Sequence, residues 1–207
     1  MVIFQKLFEQ TRKPEGLRGR LMVAGMNRGH ARIADWGMMQ LPPLTPSAIA
    51  ELGCGGGRNA AALLDKYPAA HLTALDYSPV SVAAATRCNR RLIAAGRCTV
   101  RQGDVAALDL PAAAFDLATA FETVYFWPDA AACFAQVARI LRPGGAFLIV
   151  NESDGEDELG RKYEKIIAGM RSYRAEELTA ALQSAGFART QCFHHPDRPW
   201  LAVLAIK

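Results

Sequence analysis

A glycine-rich segment and two later acidic residues are the parts of this sequence whose types and spacing suit ligand chemistry. Residues 53–57 read GCGGG, and Asp76 and Asp104 each follow a short apolar run. Glycine adopts positive φ and lets a ligand lie against the backbone, and an acid at a strand tip can bind ribose hydroxyls. The spacing differs from the GxGxxG of dinucleotide sites and from the GxxxxGK[ST] phosphate loop. The three features together predict an adenosine site and disfavour ATP hydrolysis.

Short apolar runs that alternate with helical stretches must position these residues. Strands are predicted at 47–52, 71–75, 98–102, 115–121 and 146–150, and helices at 59–66, 78–95 and 129–141. This alternation predicts a parallel sheet covered by helices on both faces, with right-handed crossovers. Ligands of such doubly wound α/β sheets bind beyond the carboxyl ends of the strands. The glycine segment and both acids fall at those ends.

The two ends of the chain follow other patterns. Helices at 159–170 and 175–185 and strands at 190–193 and 200–206 predict an antiparallel hairpin at one sheet edge. We therefore expect an α/β fold with a doubly wound, mostly parallel seven-stranded sheet. Apolar residues at helical spacing before the prolines at 42, 43 and 46 predict an N-terminal helical cap. The expected division is a cap at 1–46 and a ligand-binding domain at 47–207.

Composition narrows the class of protein. The 207 residues are 51% hydrophobic and 21% charged, as expected for one globular domain, and no apolar run approaches the about 18 residues of a membrane span. Five scattered cysteines without a CxxC pair argue against a disulfide framework or zinc site and suit a reducing cytoplasm. Residues 1–46 hold seven basic and three acidic side chains. That segment suits either an anionic partner or a solvated helix face.

The ordered motifs between residues 47 and 150 resemble one family. ELGCGGG at 51–57, LDYS at 75–78, GDV at 103–105, LP at 110–111, FDLA at 115–118 and LRPGG at 141–145 occur in sequence. Together they resemble the class I S-adenosylmethionine-dependent methyltransferases. The resemblance implies S-adenosyl-L-methionine as cofactor, S-adenosyl-L-homocysteine as product and a reversed seventh strand in the sheet.

The family pattern also implies roles for individual residues. Asp76 would bind the ribose hydroxyls, Asp104 would accept from the adenine amino group, and Tyr77 would pack on the adenine. Glu51 would organise the loop or meet the cofactor amino group through water. The full set of implied cofactor residues is Glu51, Gly53, Cys54, Gly55, Gly57, Asp76, Tyr77, Asp104, Val105 and Phe121.

Three residues outside these motifs are candidates for catalysis: His30, Glu122 and Tyr125. Methyl transfer from a sulfonium needs in-line positioning and exclusion of water, and a base only when the acceptor arrives protonated. A histidine titrates near neutral pH, although a lone histidine is more often structural. Residues 125–127, YFW, form either an aromatic wall for a planar or cationic substrate or ordinary packing. The acidic segment 152–158 either attracts a cationic amine or is a solvated helix start.

The expected reaction is methyl transfer to nitrogen, oxygen or sulfur of a small molecule. An Asn-Pro-Pro-Tyr signature is absent after the fourth strand, which disfavours nucleobase and glutamine methylation. An RNA or protein methyltransferase that uses the basic N-terminal segment and a non-catalytic cofactor-binding protein remain alternatives, with an NAD-linked oxidoreductase behind them. We expect no metal and no nucleic-acid partner, a cytoplasmic location, and a monomer or homodimer.

Overall fold

A seven-stranded sheet forms the centre of the computed structural model, which describes residues 29–207 and also residues 16, 19, 22, 23 and 25. The strand order is β3-β2-β1-β4-β5-β7-β6, in which β7 is antiparallel to both of its neighbours and the other pairs are parallel. The strands are β1 (Ala48–Leu52), β2 (His71–Asp76), β3 (Cys98–Gln102), β4 (Phe115–Phe121), β5 (Leu141–Asn151), β6 (Arg189–His194) and β7 (Leu201–Ile206). The predicted α/β fold class is confirmed.

Helices cover both faces of the sheet, because the central strands are apolar on both sides. They are α1 (Ala31–Met39), α2 (Arg58–Lys66), α3 (Pro79–Cys88), α4 (Arg90–Ala94), α5 (Ala130–Ile140), α6 (Glu158–Ile166) and α7 (Ala175–Ser184). One buried cluster contains side chains of α5 and α7, and a second contains side chains of α1, α2 and α3. The chain therefore has a core layer on each side of the sheet.

Local sequence signals explain where several helices begin. Ser78 accepts a hydrogen bond from the Ser81 amide, and Pro79 occupies the first turn of α3. Asp129 and Asp157 cap α5 and α6 in the same manner. Each cap satisfies an amide that the first helical turn leaves without a partner. The caps fix where α3, α5 and α6 begin. These helices follow β2, β4 and β5 respectively, each after a loop.

Three predicted elements differ from the structure. The helix predicted at 78–95 is divided at Asn89, because its side-chain amide donates to the Gly57 and Ala85 carbonyls at 2.9 and 3.0 Å. The helix predicted to reach residue 170 ends at Ile166. The fifth strand, predicted at 146–150, begins earlier and spans Leu141–Asn151. The predicted antiparallel hairpin at one sheet edge is confirmed as the pair β6 and β7. The division at Asn89 follows from a contact with Gly57, which is distant along the chain.

The predicted N-terminal cap is described only in part. Its proposed apolar residues before residue 22 lie outside the described part of the chain. In α1, Ile33 is buried as the periodicity predicts, whereas Met39 is 69% exposed. Gly37 packs on β5, where a Cβ atom would lie 2.4 Å from Val150 Cγ2. Helix α1 thus packs into the core of the sheet. Among the described residues, no helix is long and apolar enough to cross a membrane.

Asp116 joins three strands at the sheet edge formed by their amino ends. Its Oδ2 accepts from the backbone amides of Ser47 and Ala48 at 2.8 and 2.9 Å, and its Oδ1 pairs with Arg142. Burial alone would raise the pKa of Asp116, but the hydrogen bonds from Arg142, Ser47 and Ala48 lower it to about 2. The ionised carboxylate is therefore a stabilising part of the fold.

We expect Asp116→Asn to lower the free energy of unfolding at pH 7 by about 2 kcal/mol, since hydrogen bonds to a charged group are lost. The pKa is about 2 in the folded chain and about 3.9 in the unfolded chain. The stabilisation is therefore complete above the unfolded value and disappears as the pH falls towards the folded value. Urea unfolding of both proteins from pH 7 to pH about 3 measures this. A pH-independent difference would contradict the assignment.

Candidate active site

The loop after β1 is held by the end of β2. The amides of Gly53 and Cys54 both donate to the Leu75 carbonyl at 2.8 Å. The amide of Gly55 donates to Oδ2 of Asp76 at 2.9 Å. Three successive amides therefore have partners on the neighbouring strand, and the loop conformation is set before any ligand binds.

Glycine is required in this loop for two different reasons. At Gly53, where φ is +83°, a Cβ atom would lie 2.3 Å from Thr123 Cγ2, and at Gly57, where φ is +80°, it would lie 2.7 Å from Ala85 Cα. At Gly55, where φ is +51°, no other described residue comes within 4 Å of the Cβ position. The loop is thus closely packed below and open at Gly55, where a ligand can lie against the backbone.

Asp76 is buried with both carboxylate oxygens already engaged by backbone amides. Oδ2 accepts from Gly55 and Oδ1 from Ser78, each at 2.9 Å. Burial raises the pKa of Asp76, and these two amides and the Ser81 hydroxyl counteract the rise. Because each carboxylate oxygen accepts about two hydrogen bonds, further acceptor capacity is left for hydroxyl groups of a ligand.

Asp104 follows β3 at the same edge of the sheet. It begins a short 3-10 helix, Val105–Ala107, by accepting from the Ala106 amide at 2.9 Å. Tyr77, at the end of β2, is 38% exposed. Asp104, Val105 and Tyr77 all line one cavity with the loop after β1. The structure thus brings the predicted adenosine-binding residues to one place.

That cavity has a volume of about 1000 Å³ and lies beyond the carboxyl ends of the strands. This volume is at the upper limit of the range found for small-molecule binding sites, so the cavity has room for two ligands in contact. All the predicted cofactor residues except Glu51 and Gly57 line it, and so do the three predicted catalytic residues. The strand order gives the cavity two ends. Asp76 and Asp104 follow β2 and β3 on one side of the glycine loop, whereas Glu122 and Tyr125 follow β4 on the other side, and His30 lies near Glu152 after β5.

Glu51 lies beneath the loop, with its side chain 1% exposed and Oε2 without a hydrogen-bond partner in the described chain. Burial raises its pKa to about 8, the charge of Asp76 adds to the rise, and Arg58 opposes it. Glu51 is therefore mostly protonated at neutral pH. Its position matches the expected loop-organising role more closely than direct contact with a ligand.

Glu122 follows β4 in a backbone conformation that is unusual for a side chain larger than glycine. Its φ is +60°, and its amide donates to the Val150 carbonyl at 2.9 Å. Burial and then the charge of Glu152 raise the pKa of Glu122 well above its usual value, and the Glu152 amide opposes this. His30 Nε2 lies 3.9 Å from Glu152 Oε2, and burial lowers the pKa of His30 more than Glu152 raises it. A neutral imidazole thus lies beside two acids.

The aromatic segment 125–127 divides between the cavity and the core. The Tyr125 hydroxyl accepts from the Ser153 amide at 3.0 Å, which connects the loops after β4 and β5. Burial raises the pKa of Tyr125 well above its usual value, so its hydroxyl stays protonated. Trp127 stacks on Phe147 with ring centroids 6.2 Å apart. Packing is thus a main role of Trp127, although all three aromatic side chains also border the cavity.

Several cavity residues were not among the sequence predictions. They include the α6 side chains Leu159 and Tyr163, Ile167 directly after α6, and residues 197–200 between β6 and β7. Glu152 was expected only as a member of the acidic segment 152–158. Trp200 lies 4.8 Å from the His195 ring and 6.0 Å from the Trp36 ring. His194, one residue beyond the predicted strand at 190–193, belongs to β6. The i, i+4 spacing of Leu159 and Tyr163 indicates a helix face, but not what that face borders.

These features define a nucleoside-binding α/β protein: a glycine loop and acids at two strand tips. The cavity beside them leaves room for a second ligand. A family model described as a methyltransferase domain matches residues 50–149. A trans-aconitate 2-methyltransferase of Methylobacterium nodulans is 32% identical over 166 residues, which are 80% of this chain and 60% of that protein. A malonyl-[acyl-carrier protein] O-methyltransferase of Geobacter sulfurreducens is 28% identical, with 74% and 62% covered.

Solved structures agree on the fold. A Haloferax volcanii methyltransferase, solved in complex with the Trm112 methyltransferase activator, superposes with a TM-score of 0.79 at 20% identity and covers 89% of this chain and 93% of its own. The chain belongs to the class I S-adenosylmethionine-dependent methyltransferases, as the motifs indicate. It spans 51% to 62% of the length of the first curated relatives that it matches.

Gly57→Ala should destabilise the fold far more than Gly96→Ala, although both glycines have positive φ. At Gly96, with φ +69°, no other described residue comes within 4 Å of the Cβ position, whereas at Gly57 the Cβ meets Ala85. We expect a loss of about 1 kcal/mol at Gly96 from the backbone alone and about 3 kcal/mol at Gly57. Urea unfolding measures both, and equal losses would contradict the packing explanation.

Proposed function

We propose that the protein transfers the methyl group of S-adenosylmethionine to a nitrogen, oxygen or sulfur atom of a small molecule. The observation that carries the proposal is the single cavity that joins the glycine loop and Asp76 to the cluster around Glu122. A cofactor and an acceptor that occupy its two ends are in contact. In-line positioning and exclusion of water are the main contributions that this transfer needs from a protein.

The cofactor end of the cavity supports specific contacts. Asp76 would bind the ribose hydroxyls, Asp104 the adenine amino group, and Tyr77 and Val105 the adenine ring. The loop from Gly53 to Gly55 and Phe121 would border the methionine part. Burial raises the pKa of the Cys54 thiol well above its usual value, with Glu51 adding to the rise. Cys54 therefore stays a thiol and acts as a small packing group rather than as a nucleophile.

The acceptor end supports a small acceptor with an apolar body and one polar group. Apolar side chains, including Leu159 of α6 and Ile167 directly after it, form part of its wall. His30 and Glu122 would contact the polar group, and Tyr125 would hold the loop that carries Glu152. Glu152 is an exposed acid beside this end and has no lysine or arginine partner among the described residues. A neutral or cationic acceptor is therefore favoured over a polycarboxylate such as the one in the name of the Methylobacterium relative.

Two alternatives stay open for experiment. The first is an RNA or protein methyltransferase that uses the basic N-terminal segment. Most basic residues of that segment precede residue 29 and lie outside the described part of the chain. A cofactor-binding protein without turnover would share the fold and the loop. The division at residue 46, the monomeric or homodimeric state and the cytoplasmic location also remain predictions.

Calorimetric titration with S-adenosylmethionine and S-adenosylhomocysteine tests the cofactor site. We expect one site per chain, and at least about tenfold weaker binding for Asp76→Asn, equivalent to about 1.4 kcal/mol. Gly55→Ala should also weaken binding, because its Cβ enters the space that the ligand would occupy. Gly96→Ala is the matched control for the backbone cost and should bind normally. Absence of binding by the folded wild-type chain would refute the proposal.

Release of S-adenosylhomocysteine in fractions of a cell extract identifies the acceptor class. We expect release with the small-molecule fraction, and about 10²-fold slower turnover for Glu122→Gln with unchanged cofactor affinity, because the acceptor is misplaced. Mass spectrometry then identifies the methylated product. Release with RNA alone, together with salt-sensitive RNA binding, would support the RNA alternative. Cofactor binding without release in any fraction would indicate a protein without turnover.

A further inference from the structure

Three metal-ligating side chains meet at the acceptor end of the cavity from separate parts of the chain. His30 precedes α1, Glu122 follows β4 and Glu152 follows β5. One ligand atom of each lies within 4.8 Å of the others, and His30 Nε2 is 3.9 Å from Glu152 Oε2. Their meeting point is therefore a product of the tertiary fold and not of a local motif.

Glu122 lies in this cluster although its conformation and its partial burial cost free energy of folding. Its φ of +60° is strained for a side chain, and its buried Oε1 has no hydrogen-bond partner among the described residues. A buried carboxylate oxygen without a partner costs free energy unless a ligand satisfies it. The backbone bond from Glu122 to Val150 nevertheless keeps the side chain at the cavity. Strained, unsatisfied groups of this kind are typical of binding sites.

The charges around the cluster also favour a cation. Within the part of the chain that the structure describes, neither Glu122 nor Glu152 forms an ion pair with lysine or arginine. Two carboxylates that bind an ion together supply two negative charges, which a divalent ion would balance.

We propose that His30, Glu122 and Glu152 bind a divalent transition-metal ion such as Mn²⁺. An imidazole nitrogen with carboxylate oxygens is a ligand set for Mn²⁺, Fe²⁺ or Zn²⁺ rather than for thiophilic ions. Ligand atoms about 2.1 Å from a shared ion lie about 3 to 3.5 Å apart, so rotation of the exposed Glu152 side chain brings the three atoms into range. With three protein ligands, the ion retains positions for an acceptor oxygen or nitrogen.

This site departs from the sequence-based expectation of no metal. That expectation relied on closely spaced cysteines and histidines, whereas these ligands are separated by about 90 and 30 residues along the chain. Metal binding does not depend on the proposed methyl transfer. With the ion in place, His30 and Glu122 would contact the acceptor through it.

Titration of the full-length, untagged, chelator-stripped chain with MnCl₂ tests the site, with free Mn²⁺ counted by electron paramagnetic resonance. We expect one ion per chain with micromolar affinity, and about tenfold or greater weakening for Glu122→Gln and for Glu152→Gln. Glu156→Gln is the matched control, since it removes an exposed charge of the same acidic segment and leaves the cluster intact. Thermal melting establishes that each variant is folded, and the exposed Glu152 carries the test if Glu122→Gln does not fold.

A spectroscopic readout distinguishes ligation from general attraction to acids. Pulsed resonance of the Mn²⁺ complex should show coupling to an imidazole nitrogen, and His30→Ala should remove it. Affinity no tighter than millimolar would overturn the proposal. Equal weakening by Glu152→Gln and Glu156→Gln, or absence of nitrogen coupling in the wild-type complex, would also overturn it. Because no cofactor or acceptor is present, the result is independent of the outcome for methyl transfer.

Discussion

The hydrogen bonds from the loop after β1 to the end of β2 are the constraint from which the site follows. Gly53 and Cys54 share the Leu75 carbonyl, and Gly55 donates to Asp76. Because β1 and β2 are parallel neighbours, with Leu52 opposite Leu75, both strands end at one edge and the loop can reach across. The same bonds orient Asp76 and leave the open side of Gly55 facing the cavity.

Acidic residues at the two ends of the strands have opposite effects on stability. At the amino edge, Asp116 satisfies amides and an arginine from three strands, and its pKa is lowered. At the carboxyl edge, Glu51 is buried and Glu122 is half-buried, and both acids have raised pKa values. Each also has one carboxylate oxygen without a hydrogen-bond partner among the described residues. The first arrangement stabilises the fold, whereas the second costs stability. Such costs are retained where a ligand offsets them.

Much of the fold was predictable because its signals are local. The predicted bounds of β3 and β4 agree with the structure, since apolar runs between turn residues identify strands without knowledge of their neighbours. The break at Asn89 was not predictable, because its side chain bonds to Gly57, 32 residues away. The antiparallel hairpin of β6 and β7 at one sheet edge was predictable, because two strands that follow each other after a short connection pair with each other.

The sequence by itself determined the family, the α/β alternation and the residues of the cofactor loop, because these depend on ordered local motifs and on glycine dihedral angles. Only the tertiary structure decided that Glu152 joins His30 and Glu122, that α6 forms a cavity wall, and that Trp127 packs largely into the core. The physical reason is that strand order and helix packing bring distant side chains together. The acceptor end consists almost wholly of such contacts, whereas the cofactor end consists of short motifs at strand tips.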